Sequence, residues 1–328
     1  MVLESIIGER NIREKPYLIG IITFVIAIGS IIAVFSNELF LKYASLLSVA
    51  FITIGLVPII HNIMAKEEYE EVMARKSATT FFARHFNLIM IYVWVFIGII
   101  LAFAVVYVVV PVDVKQTLFS EQISAFCNIT GSSNCVGSVP NSISGHLSGA
   151  VFNSCKNPAT REVGACAVNI FETNGIVLLF IVILSLLYGA GAIFIIAWNG
   201  SILGILFGEF FSSGNHVGWI GFLQSMIIGH GPPELFSYIF GALAGTILSA
   251  MISRGHFLKH EVSIITKDVA FLFFLALFSV LYGAIIEAIL ILGYADLYFV
   301  LGFVYVIAVI ILVVFYGRKK FTIVPLDQ

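Results

Sequence analysis

The chain contains seven apolar segments that are each long enough to cross the hydrocarbon core of a membrane, which takes about 20 residues. These segments lie at 17–35, 39–60, 86–110, 174–198, 232–252, 268–293 and 297–316. Two further apolar pieces, 201–211 and 218–228, are too short to cross alone. Only 11% of the residues are charged, whereas soluble domains have about 25%. We therefore predict an all-α polytopic bundle with some short or broken helices, inserted in the cell membrane.

The positions of the basic residues predict that both ends of the chain are cytoplasmic. Of the 17 Lys and Arg residues, most lie in the N-terminal tail, in 61–85, in 253–267 and after residue 316. Positive charge concentrates on the cytoplasmic side of membrane proteins. Two cytoplasmic ends require an even number of crossings, which is reached if the short piece 199–211 also crosses. The alternative is that 199–229 forms a re-entrant hairpin, which would place Arg254 and Lys259 outside.

These features divide the chain into four predicted parts. A three-span segment at 1–110 precedes an extracytoplasmic loop at 111–172. A helical bundle at 173–316 and a cytoplasmic tail at 317–328 follow. The cytoplasmic stretch 61–85 is rich in Glu, Lys and Arg, which favours a short solvated helix. Such a helix is either a docking surface for a partner or a simple connector.

All the cysteines lie in the extracytoplasmic loop, at Cys127, Cys135, Cys155 and Cys166. Confinement to a non-cytoplasmic loop favours two disulfides in an oxidising compartment, with four free thiols as the alternative. Three pairings are open, and the simplest joins the first two cysteines and the last two. Asn128 begins the sequence Asn-Ile-Thr, an acceptor pattern for glycosylation. The loop contains one histidine and few carboxylates, so we expect no metal, no cofactor and no catalytic pair there.

Two glutamates, Glu234 and Glu287, lie in apolar surroundings with no Lys or Arg predicted at the same depth. Glu209, at the end of the short piece 201–211, is less informative because it can reach the membrane interface. Glu287 is predicted near the middle of its segment. Burying an ionisable side chain in a membrane is costly, so each buried carboxyl group is a candidate for a functional site.

The stretch 227–236, IIGHGPPELF, interrupts an otherwise apolar region. The pattern predicts that a helix begins here, with Gly231 as its N-cap, followed by Pro232 and Pro233. Glu234 would then reach back to the N-cap as in a capping box, and His230 would bond a nearby carbonyl. Irregular backbone at this depth must be shielded by protein or line a wet cavity. A zinc site is not indicated, because the second histidine of an H-E-x-x-H motif is missing.

Two sets of glycines predict close helix packing. Gly241 and Gly245 have the small-xxx-small spacing of membrane helix contacts. Gly200, Gly204 and Gly208 repeat at every fourth position. The second set indicates either an internal contact between helices or a contact between two copies of the chain.

Residues 172–293 resemble the stage II sporulation protein M family of membrane proteins. The matching features are Asn174, the pair Asn199-Gly200 followed by Gly204 and Gly208, the pair His230-Gly231 with Glu234, and Glu287. In spore formers the family member is a membrane subunit of a cell-wall-remodelling complex and has no catalytic activity of its own. The resemblance therefore implies a non-enzymatic membrane protein that organises partners.

We accordingly predict a membrane scaffold with a polar intramembrane site formed by Asn174, Asn199, His230, Glu234 and Glu287. The expected partners are the lipid bilayer, other proteins and, as an alternative, a second copy of the chain, but not nucleic acid. A second hypothesis is a transporter or channel in which Glu234 and Glu287 bind a proton, a cation or a polar headgroup, since broken helices commonly form transporter sites. An intramembrane enzyme is the third.

Overall fold

The computed structural model describes residues 15–74, 81–130, 155, 162–189, 191–214, 216–254 and 259–317. Within these residues the chain forms twelve helices and no strand. The first six are α1 (Tyr17–Phe35), α2 (Glu38–Leu41), α3 (Ala44–Ala74), α4 (Phe81–Val109), α5 (Val112–Leu118) and α6 (Ser120–Thr130). The others are α7 (Val163–Tyr188), α8 (Ala192–Ser212), α9 (His216–Ile227), α10 (Gly231–Arg254), α11 (Lys259–Ile291) and α12 (Ala295–Gly317).

Seven of the described helices are long and apolar enough to cross a membrane. They are α1, α3, α4, α7, α8, α10 and α11, and α12 contributes a shorter apolar stretch, Ala295–Ile311. In hydrocarbon every backbone N–H and C=O must be bonded within the protein, and a helix does this within one segment. The prediction of an all-α, multi-pass membrane bundle is therefore confirmed.

The predicted fourth segment, 174–198, is wrong. Helix α7 ends at Tyr188, and α8 runs from Ala192 to Ser212. Gly189 follows α7 with a φ of 64°, a left-handed conformation that glycine adopts readily and that ends many helices. Residues 201–211 thus belong to a full-length apolar helix, and 163–172, assigned to the loop, are the first part of α7.

The long helices pack as two groups that meet at α4. In the first group α4 packs against α1 and α8, and α3 packs against the same two helices. In the second group α7, α10 and α11 pack against one another, and α12 joins α11. Both α10 and α12 also contact α4. Helix α8 therefore packs with the N-terminal helices, although it lies in the part of the sequence predicted to form a separate bundle.

Both predicted sets of glycines lie at contacts between helices of the same chain. Gly200, Gly204 and Gly208 of α8 face α4, where an added Cβ would meet side chains or backbone of α4. Gly241 and Gly245 of α10 face α7 in the same way. The glycine repeat of α8 is therefore an internal contact between helices, which was one of the two predicted alternatives.

A disulfide joins Cys155 and Cys166, which confirms half of the simplest predicted pairing. The disulfide is buried in a small apolar cluster with Ala284, Ala288 and Ile291 of α11, so it fixes the start of α7 against the end of α11. Cys135 and the side chains of Cys127 and Asn128 lie outside the described residues, as does the C-terminal tail.

Helix α3 continues beyond its apolar part. The apolar stretch ends at Ile63, but the helix extends to Ala74, a further 11 residues or about 16 Å. Residues 61–74 are thus helical, but as the continuation of α3 and not as the separate short helix that was predicted. Residues 75–80 and the side chains of 64–84 lie outside the described part of the chain.

Replacing Gly204 with alanine should destabilise the protein. The added Cβ would lie 2.6 Å from the carbonyl oxygen of Ile100 and 2.7 Å from the Cβ of Phe103, so α4 and α8 would have to separate. We expect a loss of about 1–3 kcal/mol, measured as a lower midpoint of thermal unfolding in detergent. Gly175→Ala in α7 is the control, because its Cβ would meet nothing within 4 Å. Equal midpoints for the two variants would contradict this packing.

Candidate functional site

Helix α10 begins short of the end of the neighbouring helix α11. Gly283 of α11 lies opposite Glu234, and an added Cβ on this glycine would be 3.1 Å from the Cγ atom of Glu234. Helix α11 continues from this level to Ile291, whereas α10 extends only three residues further, to Gly231. With a rise of 1.5 Å per residue, α10 therefore begins about 7 Å short of the end of α11.

Pro232 and Pro233 are well suited to a helix that begins short of the end of its neighbour. The first four N–H groups of a helix have no partner within it, and the first intrahelical bond of α10 runs from the Glu234 N–H to the His230 carbonyl at 3.2 Å. The positions without a partner are thus His230, Gly231, Pro232 and Pro233. Proline has no N–H group, so only two of these four positions carry a donor that must be satisfied. His230, not Gly231, is the N-cap, and the predicted boundary was wrong by one residue.

The carboxyl group of Glu234 interacts with two other helices. It accepts a hydrogen bond from Asn174 Nδ2 of α7 at 2.9 Å, and it lies within hydrogen-bonding distance of the Glu287 carboxyl group of α11. The hydroxyl group of Tyr238, one turn further along α10, donates to Asn174 Oδ1 at 3.4 Å. Among the described residues the predicted capping box is not formed, because this carboxyl group is directed towards α7 and α11.

Glu287 is the most deeply buried member of this group, with 2% of its surface exposed. It lies four residues before the end of α11 at Ile291, so its predicted position near the middle of the helix was wrong. A hydrogen bond between two carboxyl groups needs a proton on one of them, since a carboxylate can only accept. We call Glu234 and Glu287 the carboxyl pair.

The carboxyl pair has no basic partner in the described part of the chain, where neither carboxyl group forms an ion pair with Lys or Arg. Glu234 and Asn174 are partly exposed, whereas Glu287 is buried. Glu287 is therefore the less accessible of the two carboxyl groups.

A second set of polar contacts fixes the turn before α10. Tyr298 of α12 places its hydroxyl 3.1 Å from His230 Nδ1 and donates to Ser225 Oγ at 3.3 Å. Gly229 lies directly against this hydroxyl, so a larger residue would not fit there. Helix α12 thereby holds the irregular backbone between α9 and α10, and His230 bonds a tyrosine side chain as well as serving as the N-cap.

The structure brings together three of the five predicted site residues in direct contact, namely Asn174, Glu234 and Glu287. His230 bonds Tyr298 and belongs to the second set of polar contacts. Asn199 is not part of this site, because its amide group donates to the Ile195 carbonyl of its own helix at 2.9 Å and α8 packs against α3 and α4.

Sequence reasoning missed Tyr238, Tyr298 and Ser225. The first is four residues after Glu234 and therefore on the same helix face, a spacing that the sequence does show. The other two have no such signal. Tyr298 is 68 positions from His230 and Ser225 is 73 from Tyr298, so only the packing of α12 brings them together.

Glu209 belongs to a separate polar cluster. Its carboxyl group accepts a hydrogen bond from the Tyr107 hydroxyl of α4 at 2.7 Å. The Lys115 ammonium group lies 4.3 Å from the centre of the same tyrosine ring, a cation–π distance. This cluster joins the ends of α4 and α8 to the short helix α5.

No family model, curated protein or solved structure matches this chain. The resemblance to the stage II sporulation protein M family therefore stays a prediction. Among the described residues no group of three or more His, Cys, Asp or Glu side chains is arranged to hold a metal ion.

Replacing Tyr298 with phenylalanine should loosen the start of α10. The variant keeps the ring but loses the hydroxyl that contacts His230 and Ser225. Each lost hydrogen bond costs about 0.5–1.5 kcal/mol, so the midpoint of thermal unfolding should fall. Tyr294→Phe is the matched control, since 58% of that residue is exposed. A fall of the same size in both variants would show that the Tyr298 hydroxyl does not hold the turn.

Proposed function

We propose that this protein is a membrane transporter or channel in which the carboxyl pair binds a proton or a small cation. One observation carries the proposal: Glu234 and Glu287, on neighbouring helices, place their carboxyl groups within hydrogen-bonding distance of each other in an apolar bundle. In this proposal the ligand is bound and released without chemical change. The sequence alone favoured a scaffold, and the geometry of these two residues favours the second hypothesis.

Burying the charge of the carboxyl pair is costly. Ionised carboxylates are expensive in low-dielectric surroundings, and two adjacent negative charges repel each other. A structural hydrogen bond does not require two acids, since an amide pair would bond equally well. Two carboxyl groups beside a helix break instead match the way in which transporters bind coupling ions near the unwound parts of helices. Exchange of one positive charge changes the net charge of the pair without rearranging the helices.

We infer the orientation of the chain from its basic residues. With α8 as a full crossing and α12 as the last one, the helices make eight crossings and both ends are cytoplasmic. This arrangement puts the stretches rich in Lys and Arg, 61–85 and 253–267, on the cytoplasmic side. Residues 111–162, the short helix α9 and the carboxyl pair then lie towards the extracytoplasmic side.

A scaffold role is the second candidate function, and one observation favours it. Helix α3 continues as a helix for 11 residues past Ile63 to Ala74, through the sequence AKEEYEEVMA. A charged helix that extends beyond the apolar part of a membrane helix offers a surface to a cytoplasmic protein partner. This role is also what the resemblance to the stage II sporulation protein M family implies.

Glu234→Gln and Glu287→Gln should each abolish cation movement while the protein stays folded. Glutamine keeps the shape and can hydrogen bond, but it cannot exchange a proton or carry a negative charge. The full chain is reconstituted in liposomes, and movement of H⁺, Na⁺ and K⁺ is measured with internal dyes under imposed gradients. Thermal unfolding midpoints show that each variant is folded.

Glu209→Gln is the matched control for this experiment. Glu209 is also buried and hydrogen bonded, but it lies outside the carboxyl pair, so its variant should transport like the wild type. The transport proposal would be wrong if the wild type moved none of the three cations. It would also be wrong if both carboxyl-pair variants kept wild-type rates.

The orientation predicts where impermeant reagents reach the chain. All four cysteines lie between residues 111 and 172. Cys155 and Cys166 are buried, so after reduction an impermeant maleimide added to intact cells should label Cys127 and Cys135. An epitope tag fused after residue 328 should bind antibody only in permeabilised cells. Antibody binding to intact cells, or cysteine labelling that needs permeabilisation, would reverse the orientation.

A further inference from the structure

A second buried pair of ionisable groups lies at the other end of α11. His85 of α4 places its Nε2 atom 3.9 Å from Oδ2 of Asp268 in α11. The exposed fraction is 1% for His85 and 8% for Asp268. Both residues lie within the first turn of the apolar part of their helices, which begins at His85 in α4 and at Ile265 in α11.

The distance between the two pairs matches the thickness of a membrane. Asp268 and Glu287 are 19 positions apart on the continuous helix α11, which corresponds to about 28 Å. The hydrocarbon core of a bilayer is about 30 Å thick. One helix thus carries a buried acid near each face of the membrane, and each acid has an ionisable partner on a different helix.

A further polar contact lies between the two pairs. The hydroxyl groups of Tyr92 in α4 and Thr246 in α10 are within hydrogen-bonding distance of each other, and Tyr92 is completely buried. Tyr92 is seven residues, or about 10 Å, from His85 along α4. Thr246 is twelve residues, or about 18 Å, from Glu234 along α10. The polar groups therefore continue from the His85 end towards the carboxyl pair.

An apolar layer separates this contact from the carboxyl pair. Leu178 of α7 packs directly on Gly241 of α10, and Ile239 and Leu243 of α10 are fully buried. Ile239, Gly241 and Leu243 lie between Tyr238 and Thr246 in the sequence of α10, and Leu178 of α7 packs against that stretch. Such a layer blocks the movement of ions until water enters it, as hydrophobic constrictions do in channels.

We propose that His85 and Asp268 form a second proton-binding site, through which protons that enter at the carboxyl pair leave on the opposite face. This inference rests on the proposed transport function and names the proton as the ligand. Tyr92 and Thr246 lie on the route, and the layer around Leu178 closes it. Each proton that the carboxyl pair takes up passes to the second pair along water that enters the apolar layer, and the imidazole or carboxyl group of the second pair then releases one proton on the opposite face. Both sites thereby return to their starting state.

The chemistry of the second pair selects a proton over a metal cation. A proton needs only one acceptor atom and one neighbour, which an imidazole and a carboxylate provide. Na⁺ and K⁺ need a shell of several oxygen atoms, as the carbonyl rings of channel filters illustrate. Histidine commonly serves as a proton shuttle in proteins.

The test uses liposomes that contain the full chain and a pH-sensitive dye, with valinomycin and K⁺ to hold the membrane potential. Wild-type protein should move protons. His85→Gln and Asp268→Asn should each reduce the rate roughly 100-fold, the scale on which a positioned acid or base contributes to proton transfer. Tyr92→Phe, which keeps the ring and loses the hydroxyl, should also reduce it.

Tyr107→Phe is the control, because it removes a buried hydroxyl from the same helix α4 at the Glu209 cluster, away from the route. Its proton rate should equal that of the wild type. Elution as a single species and the thermal midpoint show that each variant is folded. If neither variant of the second pair folds, the proton rate of Tyr92→Phe decides whether protons follow the proposed route.

The outcomes separate the two proposals. Loss of proton movement in Glu287→Gln, with wild-type rates in folded His85→Gln and Asp268→Asn, would overturn the second site and leave the transport function standing. Wild-type rates in both carboxyl-pair variants would instead overturn the transport function, and the second site with it. Movement of Na⁺ or K⁺ without protons would support transport but contradict the proton as the ligand.

Discussion

The structure around the carboxyl pair depends on how the buried start of α10 satisfies its backbone hydrogen bonds. A helix that begins inside the bundle would normally expose unpaired N–H groups to surroundings without water, where each costs free energy. Pro232 and Pro233 carry no such groups, and the N–H of Glu234 is bonded to the His230 carbonyl. Helix α12 completes the arrangement, because Tyr298 holds the turn. The start of α10 therefore needs α7, α11 and α12 beside it.

The periodic and compositional signals in the sequence were sufficient for the architecture. Long apolar runs predict membrane helices directly, because the thickness of the hydrocarbon fixes their length. The boundary between α7 and α8 was not predictable in this way. The run around Gly189 is apolar on both sides, so hydropathy does not distinguish a continuous helix from two helices joined by a glycine turn. The packing of α8 with the N-terminal helices likewise depends on side-chain contacts between segments that are distant in the sequence, so it was not predictable either.

The candidate site was predictable only in part. Buried carboxyl groups are rare in membrane helices, so Glu234 and Glu287 stand out in the sequence, and Asn174 was included through the family resemblance. Asn199 illustrates the limit of such reasoning, since its amide group bonds a carbonyl four residues earlier in its own helix. The second pair, His85 and Asp268, lies at the starts of two apolar segments, where ionisable residues are common. Their burial and closeness become evident only in the folded structure, because the two residues belong to helices that are distant in the sequence.

The double proline has a consequence for the sign of the charge that the start of α10 can bind. The start of a helix usually attracts anions, because its free N–H groups point outward and can bond phosphate or carboxylate. At the start of α10 two of those groups are missing, because Pro232 and Pro233 have no N–H, and Glu234 adds an acidic residue to the first turn. An anion at this point would meet fewer donors than at an ordinary helix start. The double proline thus makes the start of α10 a poor site for anions.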